Sequence, residues 1–444
     1  MPAAPADSAL YSRLFGDDET ARLFTDSAEV RALLLVEGAL ARVQGEIGLI
    51  PAEAAAFIAR AAQEVQIDPA ALAAETARNG VPVPALLAAF RKAAEAPGPM
   101  AHLHWGATSQ DIMDTALALR LRPVLALWEA RIDALLARLG ALADETATLP
   151  VTGRTYGQAA TPTSFGAVVA AWGWPLLGWR DDLPALREAV LQVSLSGAAG
   201  TLSAMGEHGP ALRAALAKAL GLADPGHGWH ADRSGPARLA AFAAGLAGSL
   251  GKLGEDVLLL AQSGIDEVTL RSEGGTSSTM PQKQNPVGPS ALVALARHTI
   301  GLASLVQGAA LHRQQRDGAA WFSEWLSLPQ LCIATGRMLT LALQIADDIV
   351  PDAAAMARNM EEGAGLIHAE ALTFALARHM RRPEAQASVA ALCREAMESG
   401  TPLPDLAAAR FPQMNIAQFL AAHPMGEAPA EARAFALRAR GPVM

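Results

Sequence analysis

The stretch Ser272–Ser290, SEGGTSSTMPQKQNPVGPS, carries two adjacent hydroxyls (Ser277 and Ser278), one cation (Lys283) and one amide (Asn285), with almost no acidic residues nearby. Such a set offers hydrogen bonds and positive charge to an anion. Gly274, Gly275, Pro281, Pro286, Gly288 and Pro289 exclude a regular helix or strand here. A loop this long in a compact protein is either functional or a solvated linker. Three more polar breaks interrupt an otherwise apolar chain: His102–Asp111 (HLHWGATSQD), Gly153–Thr163 and Trp229–Arg233. None has metal-ligand spacing, and neither a nucleophile elbow nor a Ser-His-Asp order is present. What remains is hydroxyls, amides, His104, His230, Lys283 and several arginines. That inventory suits binding carboxylates and stabilising a developing carbanion-like charge without a cofactor or a metal.

The elements that must position these groups read as helices. Ala21–Ile50 carries the stripe Val30, Leu33, Leu34, Glu37, Leu40 and Val43, ended by Gly48 and Pro51. The break at His102–Asp111 opens a helix near Ile112 that runs to Thr148, with Asp111 or Ser109 as its cap. Gly153–Gly166 reads as a polar turn leading into a helix through Trp179. Gly197–Gly209 is Gly-rich but lacks nucleotide-loop spacing. In Leu239–Val268, Leu246, Leu250, Leu253, Val257 and Leu260 form a coiled-coil-like seam. Gly245, Gly248, Gly251 and Gly254 recur every third residue on it, which is tolerable only where neighbouring helices come close. A helix over Ala291–Gln307, the segment His312–Pro329 and a helix to Ile349 follow. No segment alternates convincingly with a period of two, so the fold class expected is all-α. Breaks divide it into 1–105, 106–350 and 351–444.

Composition sets the remaining bounds. Of 444 residues, 51% are hydrophobic and only 18% charged, which points to apolar surface buried against other copies of the chain. A net charge of −9 argues against nucleic acid as a partner. The longest uncharged apolar run, Phe165–Trp179, is too short to span a bilayer, and no signal peptide is legible at the N-terminus. Cys332 and Cys393 fit reduced core residues, so a cytoplasmic location is expected.

GTSSTMPQKQNP resembles the signature loop of the fumarase/aspartase superfamily, whose pattern is approximately GSSxMPxKxNP. HWGATSQD resembles that superfamily's first substrate segment, and GRTYGQAATPTSFG its second, usually written RTHGQ. The resemblance runs from LFGDDETARLF to beyond GLIHAEALTFALA. It implies three helical domains, a central long-helix bundle and a homotetramer built on a 20-helix core, with active sites shared between subunits. It also implies a small polycarboxylate substrate.

Two departures narrow the activity. Members that eliminate amines or water pair the RTHGQ histidine with a glutamate five residues after the loop asparagine; here those positions are Tyr156 and Ser290. Basic leaving groups need a proton donor. A carboxylate, with a pKa near 4, does not. Loss of the pair therefore favours intramolecular carboxylate addition, the chemistry of the 3-carboxy-cis,cis-muconate cycloisomerase subgroup. VEGALARVQGEIGLIP, SGAAGTLSAMGEHG, GWHADR and GAAWFSEWLSLP resemble that subgroup too. By this resemblance Ser277 is the proton-transfer residue and His104 the second catalytic candidate. Lys283, Asn285, Thr108 and Ser109 would stabilise the charge, and Arg154, Tyr156, His230, Arg233, Ser278 and Arg316 would contact substrate. Arg154, Arg316, His230 and Arg233 could equally hold helices together, and Tyr156 could simply pack. A C–N lyase of the same superfamily, a non-catalytic relative and a differently substituted muconate are the competing readings.

Overall fold

The computed structural model describes residues 4–271, 275, 279–280, 283–422 and 425–440. Six long helices dominate it: Asp26–Ile47, Ser109–Glu145, Phe165–Val190, Ser234–Leu260, Val287–Gly308 and Gly318–Asp348. Two of them, Val287–Gly308 and Gly318–Asp348, are long and apolar enough by length and composition to cross a bilayer, but more than half of each window is buried within the protein. The all-α class holds. The chain divides into two compact units.

The first unit comprises Met1–Arg131, Trp179–Gly248 and Ala294–Leu339. Its N-terminal part is organised by the helix Asp26–Ile47, which starts where the Thr25 hydroxyl accepts the Ala28 N–H at 3.2 Å and stops at Gly48 with φ +83°. A Ser/Thr cap of this kind is worth about 1 kcal/mol. Val30, Leu33, Leu34, Leu40 and Val43 are buried on one face, and so is Glu37. Small residues let the helix Ala52–Glu64 lie close by: a side chain at Gly38 or Gly45 would run into the methyls of Ala62 or Ala55. Leu86, Phe90, Met100, Leu195, Met205 and Trp321 complete this core. Further along, fully buried Trp128 stacks on Phe242 with centroids 6.1 Å apart, and Trp179 meets Phe242 edge-on at 5.5 Å.

The second unit comprises Ile132–Gly178, Ser249–Val293 and Thr340–Met444. Here the polar turn expected at Gly153–Gly166 is instead an antiparallel hairpin, Pro150–Thr155 paired with Gln158–Ser164. Tyr156 (φ +52°) and Gly157 (φ +74°) form its two-residue turn, the left-handed pair that suits a right-twisted hairpin. The register slips at Gly153, and Val151 and Thr152 are both buried, so two-residue alternation never develops in the sequence. A second short pairing joins Val268–Leu270 to Ile349–Pro351. The C-terminal helices close over their own core of Leu372, Leu376, Val389, Leu392, Leu403 and Ile416.

Three local expectations need correction. The first long helix begins at Ser109, not Ile112. Pro329 lies inside the helix Gly318–Asp348 rather than ending a segment; burial of Leu328, Leu331 and Cys332 on that helix outweighs the lost hydrogen bond. The glycine ladder is only partly a packing device. A Cβ at Gly245 would sit 2.2 Å from the Trp179 ring and one at Gly254 3.0 Å from Val293, whereas Gly248 has nothing within 4 Å.

Candidate active site

The candidate residues fall into two groups, one in each unit. In the first unit, the turn 101–106 precedes the helix Ser109–Glu145. Asp111, fully buried, reaches back from the first turn to accept the Thr108 N–H at 3.0 Å. It caps the helix from inside, as the carboxylate of a capping box does. The same carboxylate accepts the N–H groups of Ser196 (2.7 Å) and Gly197 (3.0 Å) and meets His230 Nε2 at 2.8 Å. It thereby ties the first substrate segment to the Gly-rich turn and to WHADR. Thr108 and Ser109 are half-buried beside this hub.

Arg316 donates through Nε to Gln110 Oε1 at 2.6 Å and lies 3.5 Å from His230 Nδ1 through Nη2. Gln110 in turn donates to the His230 carbonyl at 3.0 Å. A guanidinium can only donate, so His230 accepts at Nδ1 and presents its Nε2 proton to Asp111. Arg233 is held between two buried carboxylates, with bidentate contacts to Asp114 (2.8 and 3.1 Å) and Glu324 (3.0 and 2.6 Å). Its guanidinium also lies over the Trp229 ring at 4.9 Å. Burial opposes the charge, but the two carboxylates outweigh it and hold the group above its ordinary value. His104 Nδ1 lies 2.6 Å from Glu37 Oε1.

In the second unit, Lys283 and Asn285 line a cleft of about 980 Å³ together with Gln262, Ser263, Gln344 and Asp348. Lys283 is exposed, its backbone N–H donating to the Met280 carbonyl at 3.0 Å. Asn285 is pinned instead: its backbone and side-chain N–H groups both reach the Gly275 carbonyl, at 2.9 and 2.8 Å. Gly275 has φ +71°, and a Cβ there would lie 2.1 Å from the Asn285 carbonyl oxygen, so only glycine permits this clamp. Ser277 and Ser278 lie outside the described residues. Arg154 forms a bidentate pair with buried Glu267 (2.7 and 2.8 Å), which Asn359 also contacts at 2.9 Å. Tyr156 stands fully exposed at the hairpin turn. The Ser290 hydroxyl donates to the Pro286 carbonyl at 2.9 Å, within the first turn of its own helix. Among the described residues, neither Tyr156 nor Ser290 is hydrogen-bonded to a titratable side chain.

Sequence reasoning passed over the carboxylates that hold the cations: Glu37, Asp114, Glu267 and Glu324. The available signal was an acid on an apolar face. Glu37 stands in the stripe of its helix, and a buried charge needs a partner.

A family model described as lyase matches residues 13–301. The chain belongs to this lyase family, within the fumarase/aspartase superfamily. Known proteins resemble it over most of their length. A 3-carboxy-cis,cis-muconate cycloisomerase from Pseudomonas aeruginosa is 38% identical over 90% of this chain and 87% of that protein. One from Pseudomonas putida is 36% identical over 87% of this chain and 93% of the relative. Among solved structures, the 3-carboxy-cis,cis-muconate lactonizing enzyme from Pseudomonas putida superposes with a TM-score of 0.91 at 33% identity, covering 98% of this chain and 99% of that one.

Proposed function

We propose that this lyase-family enzyme converts 3-carboxy-cis,cis-muconate to 4-carboxymuconolactone, as a cytoplasmic homotetramer that uses no cofactor. The observation that carries the reading is the pair Tyr156 and Ser290: one exposed on a turn, the other hydrogen-bonded inside its own helix, where amine- and water-eliminating members need an acid–base pair. Relatives named as cycloisomerases over most of the chain support it.

In the proposed step, one substrate carboxylate oxygen forms a bond to an alkene carbon of the same molecule. The π pair moves to the carbon next to another carboxylate, giving an enolate-like anion. Lys283, Asn285, Thr108 and Ser109 stabilise that charge, Ser278, Tyr156, His230 and Arg316 serve binding, Arg154 and Arg233 support binding by holding their segments on buried carboxylates, and Ser277 delivers the proton with His104 as the second catalytic group. A serine hydroxyl is a weak acid, so Lys283 or a helix N-terminus must favour its ionised form. Sites are shared between subunits, and the chain is organised as domains 1–105, 106–350 and 351–444.

Product analysis tests the reading. Nuclear magnetic resonance of the reaction mixture is expected to show a lactone ring carbon bearing the new C–O bond. Unchanged muconate alongside fumarate release from argininosuccinate or adenylosuccinate would replace lactonisation with C–N cleavage.

A further inference from the structure

Two buried polar residues stand on the apolar face of the helix Asp26–Ile47: Glu37 and Gln44, seven residues apart and so on the same side. Both reach the turn that carries the first substrate segment, and they reach consecutive residues. Glu37 Oε1 meets His104 Nδ1 at 2.6 Å, and Gln44 donates through Nε2 to the Trp105 carbonyl at 2.7 Å. The second oxygen of Glu37, Oε2, is sealed from solvent and has no hydrogen-bond partner among the described residues. Burying a carboxylate this way is unfavourable unless it serves the one group it touches. His104 adopts φ +65°, a left-handed conformation that side chains with a Cβ rarely take. Strain of this kind concentrates at functional sites, where the surroundings enforce it. Here two side chains of the helix grip the turn, one at the His104 ring and one at the Trp105 carbonyl.

The chemistry of the imidazole gives the pair its meaning. A carboxylate can only accept, so Nδ1 carries a proton. Nε2 is then bare if the ring is neutral and protonated if the ring is charged. A neutral His104 offers substrate a lone pair; a charged one offers a donor. A polycarboxylate substrate needs the donor. We infer that Glu37 is a positioning residue that keeps His104 as an imidazolium, so that Nε2–H can bind a carboxylate of the substrate. This rests on the lactonisation reading for the substrate, but not for the pair itself.

The charges around the ring agree with it. Burial opposes protonation of His104, but the hydrogen bond and charge of Glu37, aided by Asp111 and opposed by Arg91, raise it above its ordinary value. The sign follows: the pair stabilises the folded state fully below about pH 6.5, and that contribution is lost as pH rises through the higher folded-state value.

Glu37→Gln keeps the shape and an acceptor for Nδ1 but removes the charge. The imidazole resonance of His104, assigned by comparison with His104→Gln, is expected to titrate about one to three pH units lower in Glu37→Gln than in the unaltered protein. The alkaline limb of kcat/KM for 3-carboxymuconate is expected to move down by the same amount, through KM more than kcat. An unmoved titration and an unmoved pH profile would overturn the inference. So would a His104 value at or below the ordinary one in the unaltered protein, a measurement that stands even if Glu37→Gln does not fold. Because the titration needs no substrate, absence of muconate turnover sinks the proposed function without touching the pair.

Discussion

The hub around Asp111 in the first unit and the cleft around Lys283 in the second use charge in opposite ways. Asp111, His230 and Arg233 in the first unit are buried, and each is answered by another side chain or a backbone N–H. In the cleft of the second unit, Lys283 is exposed, and Asn285 is anchored by the Gly275 carbonyl. Asp111, His230 and Arg233 hold segments in place, since their hydrogen bonds are already made. The cleft presents donors to whatever enters it. The difference separates residues that should affect folding from residues that should affect turnover.

The sharpest way to break that separation is Arg233→Met. It leaves Asp114 and Glu324 buried without their cation, and a loss of about 3–5 kcal/mol is expected. Urea denaturation reads it; an unchanged midpoint would mean that Arg233 is free for substrate. Ser277→Ala is expected to lower kcat by about 10²-fold or more while leaving the unfolding midpoint in place. Near-wild-type turnover would remove Ser277 from the chemistry. Lys283→Ala should reduce kcat/KM by about 10²-fold, as for loss of one charge-stabilising group. A comparable fall in thermal stability instead would place Lys283 with the structural charges. The smallest effect is expected for Tyr156→Phe, within about 0.5 kcal/mol in stability, as for other exposed positions. A large loss of activity there would give the tyrosine hydroxyl a catalytic part.

The long helices were legible because apolar periodicity and the breaks at Gly48 and Pro51 are local signals. The hairpin at Pro150–Ser164 was not, because its register slips at Gly153 and two successive residues face inward. Pro329 misled for a related reason: helix continuity there is decided by burial around Leu331 and Cys332, which the local sequence does not state. The polar breaks announced where charge would gather. They could not say which cations were already matched, since Asp114 and Glu324 approach Arg233 from 119 and 91 residues away. Glu37 was visible all along as an acid in an apolar stripe, and its partner lies 67 residues on.

The central claim is that an enzyme without the usual acid–base pair closes a lactone using hydroxyl, amide, ammonium and imidazolium groups and no metal. It is tested most directly by following the ultraviolet absorbance of 3-carboxy-cis,cis-muconate over time with the purified protein, with and without a metal chelator. The account predicts steady loss of the conjugated diene at the same rate in both. An absorbance that holds constant with folded protein, or a rate abolished by the chelator, would contradict it.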